Sequence, residues 1–144
     1  MLERSFEKKA LEGVRAIDFS WIVAGPQCTR LLADFGAEVI KVENEAALDY
    51  CRNILPINAE GSPNRSGLFN TLNRNKKSVT LNVMHPTGMD KLKELISISD
   101  VVVENFSSRV LEKWGLSYKE LKEIRPDIIS VSYTHLTLPT KRIV

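Results

Sequence analysis

Residues 14–43, VRAIDFSWIVAGPQCTRLLADFGAEVIKVE, decide the fold. Val14 to Phe19 is a short apolar run of the kind that forms a buried strand. Ala24-Gly25-Pro26 ends it. Pro26 is suited to the first position of a helix, where its fixed φ fits and its missing N–H goes unneeded. Cys28, Leu31, Leu32 and Phe35 then recur at i, i+3, i+4 and i+7, which predicts an apolar stripe on the helix. Gly36 follows at the place of a left-handed C-cap, and Glu38 to Glu43 reads as a second strand. Strand, turn, helix and strand make a βαβ unit with parallel strands and a right-handed crossover.

In such a unit the helix N-terminus opens at the carboxyl ends of the strands, where free N–H groups and the helix dipole favour an anion. Two readings stand side by side here. One is a phosphate-compatible turn; the other is an ordinary α/β building block with Gly25 serving the turn alone. The chain has neither G-x-G-x-x-G nor G-x-x-x-x-G-K-[ST], so no dinucleotide fingerprint or P-loop decides between them.

Outward from this unit, strands and helices alternate. Residues 1–9 read as a polar lead-in, and 44–67 as a long loop rich in Asn, Gly, Pro and Ser, which in a compact domain points to function or disorder. A short helix is predicted over 68–75, a strand over 78–83, and a helix from Pro86 with apolar positions Met89, Leu92, Leu95 and Ile96. Val101 to Val103 is a buried strand. Short helices over 110–114 and 118–124 are separated by Gly115, and a last strand begins at Asp127. The class is α/β, a Rossmann-like, mostly parallel sheet with flanking helices, truncated after its last strand.

The final stretch is different in kind. Val131 to Thr140, VSYTHLTLPT, resembles residue for residue the translation of a transposase mosaic-end sequencing adapter. Residues 1–130 are therefore taken as the domain and 131–144 as a non-native tail, with Val131 and Ser132 shared by overlap. The chain has 20 Lys+Arg and 18 Asp+Glu; without Lys141 and Arg142 the two balance at 18 each. No basic excess then calls for nucleic acid. No stretch approaches the roughly 20 apolar residues of a membrane span, and residues 2–15 are too charged for a signal peptide. Cys28 and Cys51 are the two cysteines. Without metal spacing, they suit a reducing cytoplasm, with Cys28 expected as a buried free thiol on the helix stripe. No metal site is expected.

Three polar clusters fall at strand ends, where doubly wound sheets bind ligands: Val23-Ala24-Gly25, Asn73-Arg74-Asn75-Lys76-Lys77, and Glu104-Asn105-Phe106. Amides and cations suit phosphate and carbonyl groups, and Phe106 suits a flat ring. Each alone also reads as a turn, a solvated charge run or a core aromatic.

The three blocks LEGVRAIDFSWIVAGPQCTRLLADFGAEVIKVE, LNRNKKSVTLN and SDVVVENFSSRVLEKWGLSYKELKEIRPDII, in that order, resemble the start of a family III coenzyme A transferase. That group includes the formyl-CoA:oxalate, carnitine and bile-acid CoA transferases, and the similarity covers about 11–129. The resemblance implies a CoA site at Val23 and Ala24, at Leu72, Asn73, Arg74 and Asn75, at Asn105 and Phe106, and at Lys113, where the family often has Arg. Lys keeps the charge without the bidentate fork. Asn44 stands where the family often has Arg, and Ser107-Ser108-Arg109 departs from the usual N-F-[RGH]-P-G. The family moves CoA between an acyl-CoA and a carboxylic acid through an aspartyl anhydride and an enzyme thioester, as an interlocked homodimer of longer chains. Its nucleophilic aspartate belongs to a later segment, so no catalytic residue is expected here; Asp18 and Asp34 read as structural or solvated. An α-methylacyl-CoA racemase would begin similarly, and a non-enzymatic adenine-nucleotide-binding α/β module is the alternative of another class.

Overall fold

The computed structural model describes residues 8–54, 62–107 and 109–132. Residues 133–144, most of the tail set apart above, lie outside them, as does Ser108. Five strands form one sheet: β1 (Arg15–Asp18), β2 (Glu38–Glu43), β3 (Lys77–Thr80), β4 (Val101–Val103) and β5 (Ile129–Val131). Their order is β3-β2-β1-β4-β5 and every pairing is parallel. The order reverses between β1 and β4, the point at which open α/β sheets bind ligands beyond their strand ends.

Helix α1 (Ala24–Asp34) joins β1 to β2. The long loop between β2 and β3 contains α2 (Cys51–Ile54) and α3 (Gly67–Asn73), and α4 (Pro86–Ser97) carries the chain from β3 to β4. Helices α5 (Val110–Lys113) and α6 (Tyr118–Ile124) precede β5. Local signals explain their ends. Pro86 opens α4 behind His85, whose ring accepts from the Thr87 N–H at 3.3 Å. Ser117 and Glu120 close a reciprocal capping box on α6. Gly36, at φ +104°, ends α1 in a Schellman motif, with Ala37 N–H bonded to Leu32 O and Gly36 N–H to Ala33 O. Gly115, at φ +70°, separates α5 from α6.

Because side chains alternate along a strand, the two faces of the sheet differ in chemistry. On one face Ile17, Phe19, Val42 and Val102 pack with Leu92 and Ile96 of α4 and Leu121 of α6 in a wholly apolar core. On the other, Ala16 and Val39 pack against Ala33 and Ala37. Toward the strand ends that second face turns ionic: Asp18, Lys41 and Glu43 are all buried.

Four details differ from the sequence expectations. Pro26 is the third residue of α1, not the first. The stripe Cys28, Leu31, Leu32 and Phe35 does not face the sheet: Cys28 is exposed, Leu31 is 44% and Phe35 58% exposed, and only Leu32 is half-buried. The buried face consists of Gly25, Pro26, Thr29 and Ala33, because the helix lies so near the strands that only small side chains fit. The buried thiol is Cys51, not Cys28. The third strand begins at Lys77 and stops at Thr80, short of Val83. Val131, which the overlap leaves shared between domain and tail, pairs with Val103 in β5.

Candidate functional site

Between β1 and α1 the chain runs through Phe19 to Val23, and side chains from three other elements seize its backbone. Asp18 Oδ1 accepts from the Ser20 N–H at 2.9 Å and from the Ser20 hydroxyl. Lys41 of β2 donates its Nζ to Ser20 O at 2.7 Å. Asn105, after β4, brackets the Trp21 peptide: Oδ1 accepts from its N–H at 2.7 Å and Nδ2 donates to its carbonyl at 2.8 Å. Asp49 Oδ1 accepts from the Ile22 N–H at 3.2 Å, and the Cys51 thiol donates to Ile22 O at 3.2 Å.

Ile22 is held at φ +68°, a conformation that costs a β-branched residue and marks a place the surroundings over-determine. With Ser20 to Ile22 so occupied, the N–H groups of Val23, Ala24 and Gly25 donate to no protein acceptor among the described residues. They sit at the first turn of an 11-residue helix, whose dipole adds to their attraction for an anion. Gly25 serves close approach: its φ is not positive, but a Cβ there would lie 2.2 Å from Ser20 Cβ.

Beneath this turn lies the ionic layer. The Asp18 carboxylate also accepts from Thr29 Oγ1 at 2.7 Å and Lys76 Nζ at 2.8 Å. Burial pushes its pKa up, but the Lys41 and Lys76 ammonium groups outweigh that and hold it below the ordinary aspartate value. Lys76 donates in addition to Pro26 O at 3.0 Å and Asn73 Oδ1 at 2.8 Å. For this ammonium burial prevails and draws the pKa down, against the pull of Asp18. Arg52 grips Glu43 through two bonds, at 3.0 and 2.6 Å, while its guanidinium stacks 3.6 Å from the Phe69 ring centroid. Burial raises the Glu43 pKa, and Arg52 and Lys41 more than reverse this.

The candidate residues fall around the turn in different roles. Val23 caps α1 and Ala24 opens it, both exposed. Leu72 is buried with Cys51 and Phe69. Asn73 donates to Phe69 O at 2.9 Å and accepts from Lys76, so its amide is spent on the protein. Arg74 and Asn75 both bind Asp34, at 2.8 and 2.7 Å, and the Arg74 guanidinium remains largely exposed. Phe106 stands edge-on between Trp21 and Trp114, at centroid distances of 5.8 and 5.5 Å. It lines a cavity of about 340 Å³ with Phe19, Val42, Leu81, Val83 and Met84. Lys113 ends α5, exposed, and enters no ion pair among the described residues. Also among these residues, no cluster of three or more metal-ligating side chains occurs, and no helix is long and apolar enough to cross a membrane.

Sequence reading missed Lys41, Glu43, Asp49 and Arg52. The available signal was charge inside EVIKVE: Lys41 and Glu43 share a face with Val39 in a strand expected to be buried on both sides.

Fold and site define a doubly wound parallel α/β domain with an anion-compatible helix N-terminus at its topological switch point. Residues 11–136 match CoA-transferase family III. The chain belongs to that family. It is 45% identical over 125 residues to the formyl-CoA:oxalate CoA-transferase of Afipia carboxidovorans and 46% identical to that of Bradyrhizobium sp. (strain ORS 278). Each alignment covers 86% of this chain and 28% of the relative, so the chain spans little more than a quarter of those proteins. Among solved structures it is similar to a CAIB/BAIF family protein from Brucella suis (TM-score 0.78, 36% identity, 88% of this chain and 33% of that one). Rv3272 from Mycobacterium tuberculosis is similar too (TM-score 0.75, 35% identity, 87% and 32%).

Proposed function

We propose that this chain supplies the CoA-binding part of a CoA transferase that moves CoA between an acyl-CoA and a carboxylic acid. The observation that carries the reading is the turn at Val23 to Gly25, which offers three unpartnered N–H groups at the switch point of a family III domain. Phosphate oxygens of CoA would take those groups, with the exposed Arg74 and Lys113 supplying charge. The aromatic wall at Phe106 would take a less polar part of the ligand.

No nucleophile is assigned to this chain. Asp18 is buried and saturated by four donors, Asp34 is bound by Arg74 and Asn75, and Asp49 holds Ile22. The covalent step is therefore left to residues outside it. The outward apolar stripe of α1 supports assembly as a homodimer, in which further chain or a second copy covers Leu31 and Phe35. Two free thiols support a cytoplasmic setting. Residues 131–144 remain proposed as a non-native tail.

The test is calorimetric titration of CoA against the 144-residue chain and Lys113→Ala at two ionic strengths. A charge-assisted contact is worth about 1.5–3 kcal/mol, so the variant should bind about ten- to a hundredfold more weakly. The gap should narrow in high salt. Lys113→Arg should bind at least as well as wild type. Equal binding by wild type and Lys113→Ala at low salt removes Lys113 from the site, and absence of CoA binding by the wild type removes the reading.

A further inference from the structure

Ile22 presents a puzzle of energetics. A left-handed backbone is disfavoured for any L-residue with a side chain and most of all for a β-branched one. Yet φ is +68° here, in a residue that is 47% exposed and belongs to none of the buried apolar clusters. Something other than side-chain burial must hold it.

The structure shows what does. Asp49 is completely buried, and its Oδ1 accepts both the Ile22 N–H, at 3.2 Å, and the Cys51 N–H, at 3.0 Å. Its other oxygen lies 3.3 Å from the buried Lys41 Nζ, near enough for an ion pair though not aligned as a hydrogen bond. Lys41 in turn holds Ser20 O. The Asp49 N–H donates to Glu43 Oε1 at 3.3 Å, and Glu43 is gripped by Arg52. A chain of buried charges therefore runs from β2 through the 44–54 segment to the strained Ile22 just before α1.

We infer that Asp49 is a positioning residue for the ligand turn: it keeps Ile22 left-handed, and Ile22 in that state sets the backbone path that leaves the Val23, Ala24 and Gly25 N–H groups without a protein acceptor at the start of α1. The inference rests on the CoA-binding reading and names a residue that reading does not use. Asp49 itself touches no ligand. Its effect is on the fraction of molecules whose turn is ready to bind, and apparent affinity falls in proportion to that fraction. Without the clamp, Ile22 relaxes to an ordinary conformation and the open amides scatter.

The decisive comparison is between Asp49→Ala, Ile22→Gly and the two combined. Glycine takes positive φ without steric cost, so it removes the need for the clamp. Asp49→Ala should weaken CoA binding about tenfold, and adding Ile22→Gly should recover most of that loss. Ile22→Gly alone should stay within about threefold of wild type. Asp49→Asn, which keeps an acceptor for the Ile22 N–H, should also retain affinity. If Asp49 serves only as a counter-ion for Lys41, Ile22→Gly rescues nothing and Asp49→Asn is as damaged as Asp49→Ala; that pattern overturns the inference. A ligand-free measurement stands independently of CoA and of whether Asp49→Ala folds: amide hydrogen exchange in the wild type. The Ile22 N–H should exchange at least about tenfold more slowly than the Val23 N–H, which has no acceptor. Equal rates refute the clamp even where CoA binds, and slow Ile22 exchange in a chain that does not bind CoA upholds the clamp while refuting the CoA reading.

Discussion

Removing the Lys76 ammonium should expose how much of this domain depends on its ionic layer. The Lys76 side chain is 2% exposed, and its Nζ donates to Asp18 Oδ2, Pro26 O and Asn73 Oδ1 at 2.8, 3.0 and 2.8 Å. Lys76→Met keeps most of the volume and deletes the charge. Asp18 then keeps Ser20 and Thr29 as donors but loses its direct counter-ion, and Asn73 Oδ1 is left without that donor. Breaking a buried pair from one side costs about 3–5 kcal/mol, a large share of the roughly 5–15 kcal/mol that holds an ordinary domain together. In the wild type the Asp18 pKa lies below its unfolded value. Its contribution is present above pH ~4 and is lost as pH falls through the native pKa. In Lys76→Met the Asp18 pKa moves up from its wild-type position, while Lys41 still pulls it down against burial. The gap to wild type is therefore greatest at neutral pH and narrows as pH falls below about 4. Urea titrations at neutral pH and near pH ~3 measure both effects. Asp18→Asn with Lys76→Met should cost at least about 2 kcal/mol less than the sum of the single changes, because no lone charge stays buried. A loss under about 1 kcal/mol at neutral pH, or the same loss at both pH values, would refute the reasoning.

Gly25→Ala forces a Cβ to 2.2 Å from Ser20 Cβ; we expect a loss of about 1–3 kcal/mol and weakened CoA binding together, by melting and calorimetry. Arg52→Met leaves Glu43 buried without its fork, and since the Glu43 pKa is depressed in the wild type, the deficit should be greatest above pH ~4.3 and diminish as pH falls through the native value, which urea titration across pH reports. Deleting 133–144 should leave the melting midpoint unchanged, and resequencing the gene across Ser130 should show no adapter codons; finding them in the genome would make the tail native.

The sequence by itself determined the alternation of strands and helices, the parallel sheet and most helix ends, because those follow from local causes. Pro86, Ser117, Gly36 and Gly115 act within a turn of where they stand, and an apolar run such as Val101 to Val103 has one sensible fate in an α/β chain. It also determined the family, since three ordered blocks carry more information than any periodicity. Tertiary structure alone decided which face of α1 is buried. Cys28, Leu31 and Phe35 are the more apolar stripe, but the sheet beside them is lined by Ala16 and Val39, and a helix that must reach Ser20 and Asp18 can approach only on Gly25, Thr29 and Ala33. It alone decided the ionic layer as well. Lys41, Asp49 and Lys76 are separated along the chain by loops and strands, and a charge is tolerated in the interior only where folding delivers its partner to within bonding distance.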